Sequence, residues 1–91
     1  MLHIVQTPQA LVEVANAYQE GDQVLLVEDS VYVSNAQHPQ FTILKPMDVL
    51  LLEEDALARG ISNRVSPSLS VVDFAGFVEL TVTHSTSLTW N

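Results

Sequence analysis

Val49-Leu50-Leu51-Leu52-Glu53-Glu54-Asp55 is a short apolar run that ends in three acids. Val24-Leu25-Leu26-Val27 runs in the same way into Glu28-Asp29, and Leu69-Ser70-Val71-Val72 into Asp73. Each run has the length and branching of a strand buried on both faces, as in a parallel sheet. Each acid falls where the next helix should begin. The repeat identifies an α/β fold, and we expect three layers, α/β/α, around a five-stranded, mainly parallel sheet. It also raises a chemical question. Acids at the carboxyl ends of strands are either a catalytic cluster or helix caps.

Working outward, Leu2 to Gln6 reads as a first strand. Thr7 is expected to cap a helix with Pro8 at its first position, where a missing N–H costs nothing. Leu11, Val14, Ala15 and Tyr18 share one face of it, and Gly21 is expected to end it in a left-handed conformation. Gln23 to Val27 is the second strand. Asp29 or Ser30 can open a short helix, although Val31, Tyr32 and Val33 are poor helix formers. Asn35 to Gln40 reads as a loop, and Phe41 to Leu44 as a short extended piece broken by Pro46. Met47 to Leu52 is the third strand, and a helix from about Glu54 to Arg59 follows. Gly60 and Ile61 fit a Schellman end, and Ser62 to Pro67 a polar loop. Leu69 to Val72 is the fourth strand. Asp73 is expected to cap a last helix, with Phe74, Phe77, Val78 and Thr81 lining one face, Leu80 beside them, and His84 at its end. Leu88 to Trp90 makes a fifth strand.

Ninety-one residues, 1–91, are expected to form one small domain. A domain of this size buries only about two-thirds of its unfolded surface and is marginal alone. Yet 47% of its residues are hydrophobic and 15% charged, against about 25% charged in an average soluble domain. The surplus apolar surface is expected to be a subunit interface. With a net charge of −8 from one Lys and two Arg, the chain repels phosphate backbones, so direct nucleic-acid binding is not expected. It contains no cysteine, which removes disulfides and thiolate chemistry. No apolar run approaches the roughly 20 residues that span a membrane. A reducing cytoplasm is the expected location.

The candidate chemistry is thin. Val24 to Asp29 resembles the opening strand of a phosphotransfer receiver domain, and Glu28, Asp29 and Asp73 are the residues a small metal-dependent phosphotransfer or hydrolytic domain would use. Such a site needs a Lys after the phosphoacceptor, and the only lysine, Lys45, precedes Asp73. Capping is the preferred role for these acids. His3, His38 and His84 show no paired spacing for zinc. Ser66, Ser68 and Ser70 lack a nucleophile elbow, and Gly21, Gly60 and Gly76 are too dispersed for a phosphate cradle. Phe74, Phe77 and Trp90 are expected in the core, with part of the set available to a partner. No catalytic, cofactor-binding or metal-binding residue is assigned, and no cofactor is expected.

Three stretches together carry a family resemblance: Met1-Leu2-His3; Glu54-Asp55-Ala56-Leu57-Ala58-Arg59-Gly60 after a strand; and Asp73-Phe74-Ala75-Gly76-Phe77-Val78-Glu79-Leu80-Thr81-Val82-Thr83-His84 with Trp90 near the end. Over essentially its whole length the chain resembles the TusB/DsrH family, the smallest subunit of the TusBCD (DsrEFH-type) sulfur-relay complex. The resemblance implies the same three-layer fold. It implies C-type and D-type paralogous subunits as partners in a heterohexamer. With so much apolar surface, the isolated chain is expected to be poorly soluble or to self-associate. It also implies a role in 2-thiolation of the tRNA wobble uridine or, in sulfur-oxidising relatives, in sulfur oxidation. In that family the persulfide travels on a cysteine of the D-type subunit. A cysteine-free chain is then a non-catalytic subunit, and its lack of a thiol favours the tRNA branch.

Overall fold

The computed structural model describes residues 1–91. Its strands are β1 (Leu2–Val5), β2 (Gln23–Leu26), β3 (Val49–Leu52), β4 (Ser70–Val72) and β5 (Ser87–Trp90). They form one sheet in the order β4-β3-β2-β1-β5, and every pairing is parallel. The helices are α1 (Leu11–Ala17), α2 (Phe41–Leu44), α3 (Glu53–Ala58) and α4 (Phe74–Thr83), with 3-10 segments at Pro8–Ala10, Glu28–Ser34 and Ser62–Arg64.

The strand order and the handedness of crossovers decide which face each helix covers. From β1 to β4 the chain steps to the next neighbour three times in one direction. Right-handed connections therefore put all three crossovers on the same face. The step from β4 to β5 runs back across the sheet, so its helix lies on the other face. Packing follows this division. Leu11 and Val14 of α1, Phe41 and Leu44 of α2 and Ala56 of α3 join Val5, Val24, Leu26, Val49 and Leu51 in a core of 13 buried residues. The opposite face holds only five, Leu2, Leu25, Val27, Leu50 and Leu52, with Phe77 and Leu80 of α4 against them. Alternate residues of β2 and β3 feed the two cores, which is why Val24–Val27 and Val49–Leu52 are apolar throughout. The run that ends at Asp73, expected to be buried on both faces, is instead the edge strand β4, with Ser70 and Val71 exposed.

The local readings divide along physical lines. Asp73 caps α4 through its side chain, its Oδ1 accepting from the Gly76 N–H at 2.9 Å. The end of α3 is a Schellman motif. The Gly60 N–H donates to Leu57 at 3.1 Å and the Ile61 N–H to Ala56 at 3.0 Å, with Gly60 at φ +69. Thr7 stands at the N-cap ahead of Pro8, but its side chain makes no capping bond. Gly21 is not the cap of the first helix, which closes at Tyr18. It sits at φ +92 in a following turn that joins Gln19 to Asp22.

In the middle of the chain one expectation is corrected. Phe41–Leu44 is a helical turn, not an extended piece, because Phe41 and Leu44 both reach the larger core three residues apart. After β2, the short helix that Asp29 or Ser30 can open is present as a 3-10 segment despite its β-branched residues. Val31 and Val33 are fully buried there, and the Ser30 hydroxyl shares its one proton between the Val5 carbonyl at 2.6 Å and the Val27 carbonyl at 2.8 Å. Tertiary burial overrides propensity at that point.

The left-handed Gly60 gives a direct test. No atom lies within 4 Å of a Cβ built there, so Gly60→Ala acts through the backbone alone. Urea unfolding is expected to show a loss of about 1 kcal/mol, and Gly60→Asn a smaller one.

Candidate functional site

Ligands of open parallel sheets bind at the carboxyl ends of strands, where successive helices leave on opposite faces. Here that place is between β3 and β4, since α3 and α4 lie on opposite faces. The chain fills it with its own carboxylate. Glu54 Oε2 accepts from the Phe74 N–H, the first of α4, at 3.1 Å. Together with Asp73 on Gly76, two of the free N–H groups of that helix are satisfied from within the chain.

The remaining acids of this edge are engaged separately. Glu28 has φ +51, the one left-handed non-glycine residue, and its N–H donates to Asp55 Oδ2 at 2.6 Å. Asp55 thereby holds a conformation that costs a side-chain-bearing residue about 1–2 kcal/mol. Asp29 pairs with the Arg59 Nε at 3.1 Å, and Arg59 also reaches Asp55 at 3.7 Å. These exposed pairs contribute little individually. Glu28, Asp29 and Asp73 thus have different partners, and no group of three His, Cys, Asp or Glu side chains is placed to hold a metal ion. Ser66 and Ser68 bond each other at 2.8 Å.

At the amino ends of the strands lies a network that the sequence did not reveal. His3 is 1% exposed on β1. The Trp90 indole, a donor only, gives its N–H to His3 Nδ1 at 3.1 Å. His3 is therefore the tautomer whose Nε2–H donates to Asp22 Oδ2 at 2.9 Å. Asp22 also accepts from the Met1 amine at 3.0 Å and the Gln19 N–H at 3.0 Å. The His3 bond first, then the amine, hold its carboxyl well below the ordinary value, against an opposing effect of burial. The Tyr18 hydroxyl donates to the Asp22 carbonyl at 2.8 Å and accepts from the Asp48 N–H at 3.0 Å. Gln23 joins Asp48 to His84 at 3.0 and 2.8 Å. His38 instead accepts from the Gln40 N–H in its own loop. His3 and His84 are thus fasteners of the sheet's amino end. The only sequence signal was Gly21-Asp22 before an apolar run, which marks a turn but not its partners.

The least ordinary surface is α4. Its inner side carries Phe77, Leu80 and His84. Phe74, Val78 and Thr81, expected to share the inward face with Phe77, point to solvent instead. Phe74 is 59% exposed, Val78 45% and Val82 79%. These three, spaced by four residues, make one outward apolar stripe, with exposed Ala75 among them. No residue of α4 is buried, and Glu79 is its only charged side chain. A helix apolar on two opposite faces belongs between two layers, and the chain supplies one. Phe74 stands edge-to-face on Phe77, with ring centroids 5.8 Å apart, so the aromatic end of the stripe is held in place.

Two stability measurements follow. Asp73→Ala is expected to cost about 1 kcal/mol in urea unfolding, with Asp73→Ser retaining most of it. For Asp22 the folded-state carboxyl lies below the unfolded value, so its contribution is complete above the ordinary value of 3.8 and is lost as pH falls below it. The stability gap between the wild type and Asp22→Asn is expected to be constant from pH 7 to 5 and to close as pH falls from about 4 towards 2.

Comparison with known proteins agrees with this architecture. The family described as DsrH like protein matches residues 6–87. Protein TusB of Escherichia coli O1:K1 is 34% identical over 95 residues, covering 99% of this chain and 100% of the relative. TusB of Escherichia coli O139:H28 is 33% identical over the same span. The crystal structure of the ychN protein from E. coli superposes with a TM-score of 0.74 at 18% identity, covering 98% of this chain and 97% of that one, and so shares its fold. By family match and by full-length relatives, the chain belongs to the DsrH family.

Proposed function

We propose that this chain is a non-catalytic subunit of a sulfur-relay complex that supports 2-thiolation of the tRNA wobble uridine, acting in the cytoplasm as one domain over residues 1–91. The observation that carries the proposal is α4, whose outward apolar stripe has no cover within the chain. Family membership and the TusB relatives support a place in a sulfur relay. The chain has no thiol on which a persulfide can form. Sulfur is then carried by a cysteine of a D-type paralogue, and this chain holds C- and D-type partners in a heterohexamer. The acids of the carboxyl edge serve as caps and backbone acceptors. Its net charge of −8 leaves tRNA contact to other proteins of the relay.

Two measurements test this. Co-expression with C- and D-type paralogues is expected to yield an assembly that co-elutes in size-exclusion chromatography; a monomer indifferent to both contradicts the proposal. Deleting the gene is expected to deplete 2-thiouridine in digested tRNA. An unchanged thiouridine level alongside impaired sulfur oxidation transfers the protein to the other branch of its family.

A further inference from the structure

We infer that the outward face of α4 docks against an apolar helix of a paralogous subunit that presents Lys or Arg opposite Glu79, and that the same carboxylate turns away a second copy of this chain. The inference rests on the assembly proposed above and names the contact that makes it. Phe74, Val78 and Val82 form the seam, with Phe74 braced on Phe77 as its rigid anchor. Glu79, exposed, flanks that seam one residue beyond its centre at Val78. Charges flanking an apolar helical seam set the choice of partner.

The occupant follows from charge. In a self-pairing of two α4 helices about a two-fold axis at Val78, each Glu79 comes beside the other. α4 itself carries no Lys or Arg to separate them. Two copies also bring a charge of −8 against −8. Like charges at an interface suppress wrong partners, and complementary ones speed encounter and fix register. A neutral seam would permit either pairing; this one disfavours its own two-fold pairing, so self-association of the isolated chain is expected through its other exposed apolar residues, such as Leu57 and Val71.

The test uses the full chain co-expressed with its C- and D-type paralogues. Val82→Asp places a charge in the seam at a position 79% exposed, so folding is preserved, and an unchanged melting temperature verifies it. It is expected to weaken assembly by about a hundredfold or more. Glu79→Arg is expected to weaken it by about tenfold, and Glu79→Gln to reduce the salt dependence of the wild-type complex. Val12→Asp, on the exposed side of α1, is expected to assemble as the wild type does. If the wild-type assembly forms but Val82→Asp and Glu79→Arg join it undiminished, the α4 contact is wrong while the sulfur-relay reading stands. If sedimentation shows the wild type alone as a homodimer that Val82→Asp dissolves, the occupant is a second copy and the inference is overturned. If the wild type ignores both paralogues, the relay reading falls, and this inference with it.

Discussion

Handedness is the constraint on which this molecule turns. Three short steps in one direction and one long return across the sheet assign three crossovers to one face and one to the other. A single ten-residue helix must therefore shield a face built from Leu2, Leu25, Val27, Leu50 and Leu52. That helix needs apolar residues toward the sheet. Those on its far side are not required by the chain's own packing, and their presence is the clearest sign that something else lies beyond.

The carboxyl edge of the sheet shows how a site-like pattern can be structural. Acids after strands are common to catalytic α/β domains and to helix starts. Here Glu54 occupies the first N–H of α4, Asp73 caps the same helix, and Asp55 supports the left-handed Glu28. The crevice that a parallel sheet offers to ligands is thus bridged by the protein's own side chains, consistent with a subunit that works by contact.

Much of this was legible because local and tertiary demands agree. The central strands β2 and β3 declare themselves by being apolar on both faces, and the ends of α3 and α4 by residues whose conformations or side-chain oxygens suit those positions. The middle was not legible, since Val31, Val33, Phe41 and Leu44 take their conformations from burial in the larger core and not from their own preferences. The facing of α4 was misread for a related reason: a helix with apolar residues on two opposite faces has no periodicity to show which side meets the sheet. The network of His3, Asp22 and Trp90 joins residues distant in the chain. Without the register of β1 against β5, no spacing rule brings them together.

The pairing of β5 with β1 has a consequence for biosynthesis. Trp90 meets His3 across 87 residues of sequence, and α4, the cover of the second sheet face, immediately precedes β5. Until α4 leaves the ribosome, a nascent chain has Leu2, Leu25 and Leu50 facing water and no helix to lay over them. Contacts so remote in sequence also form slowly. The newborn protein therefore passes through a sticky interval in which aggregation competes with completion.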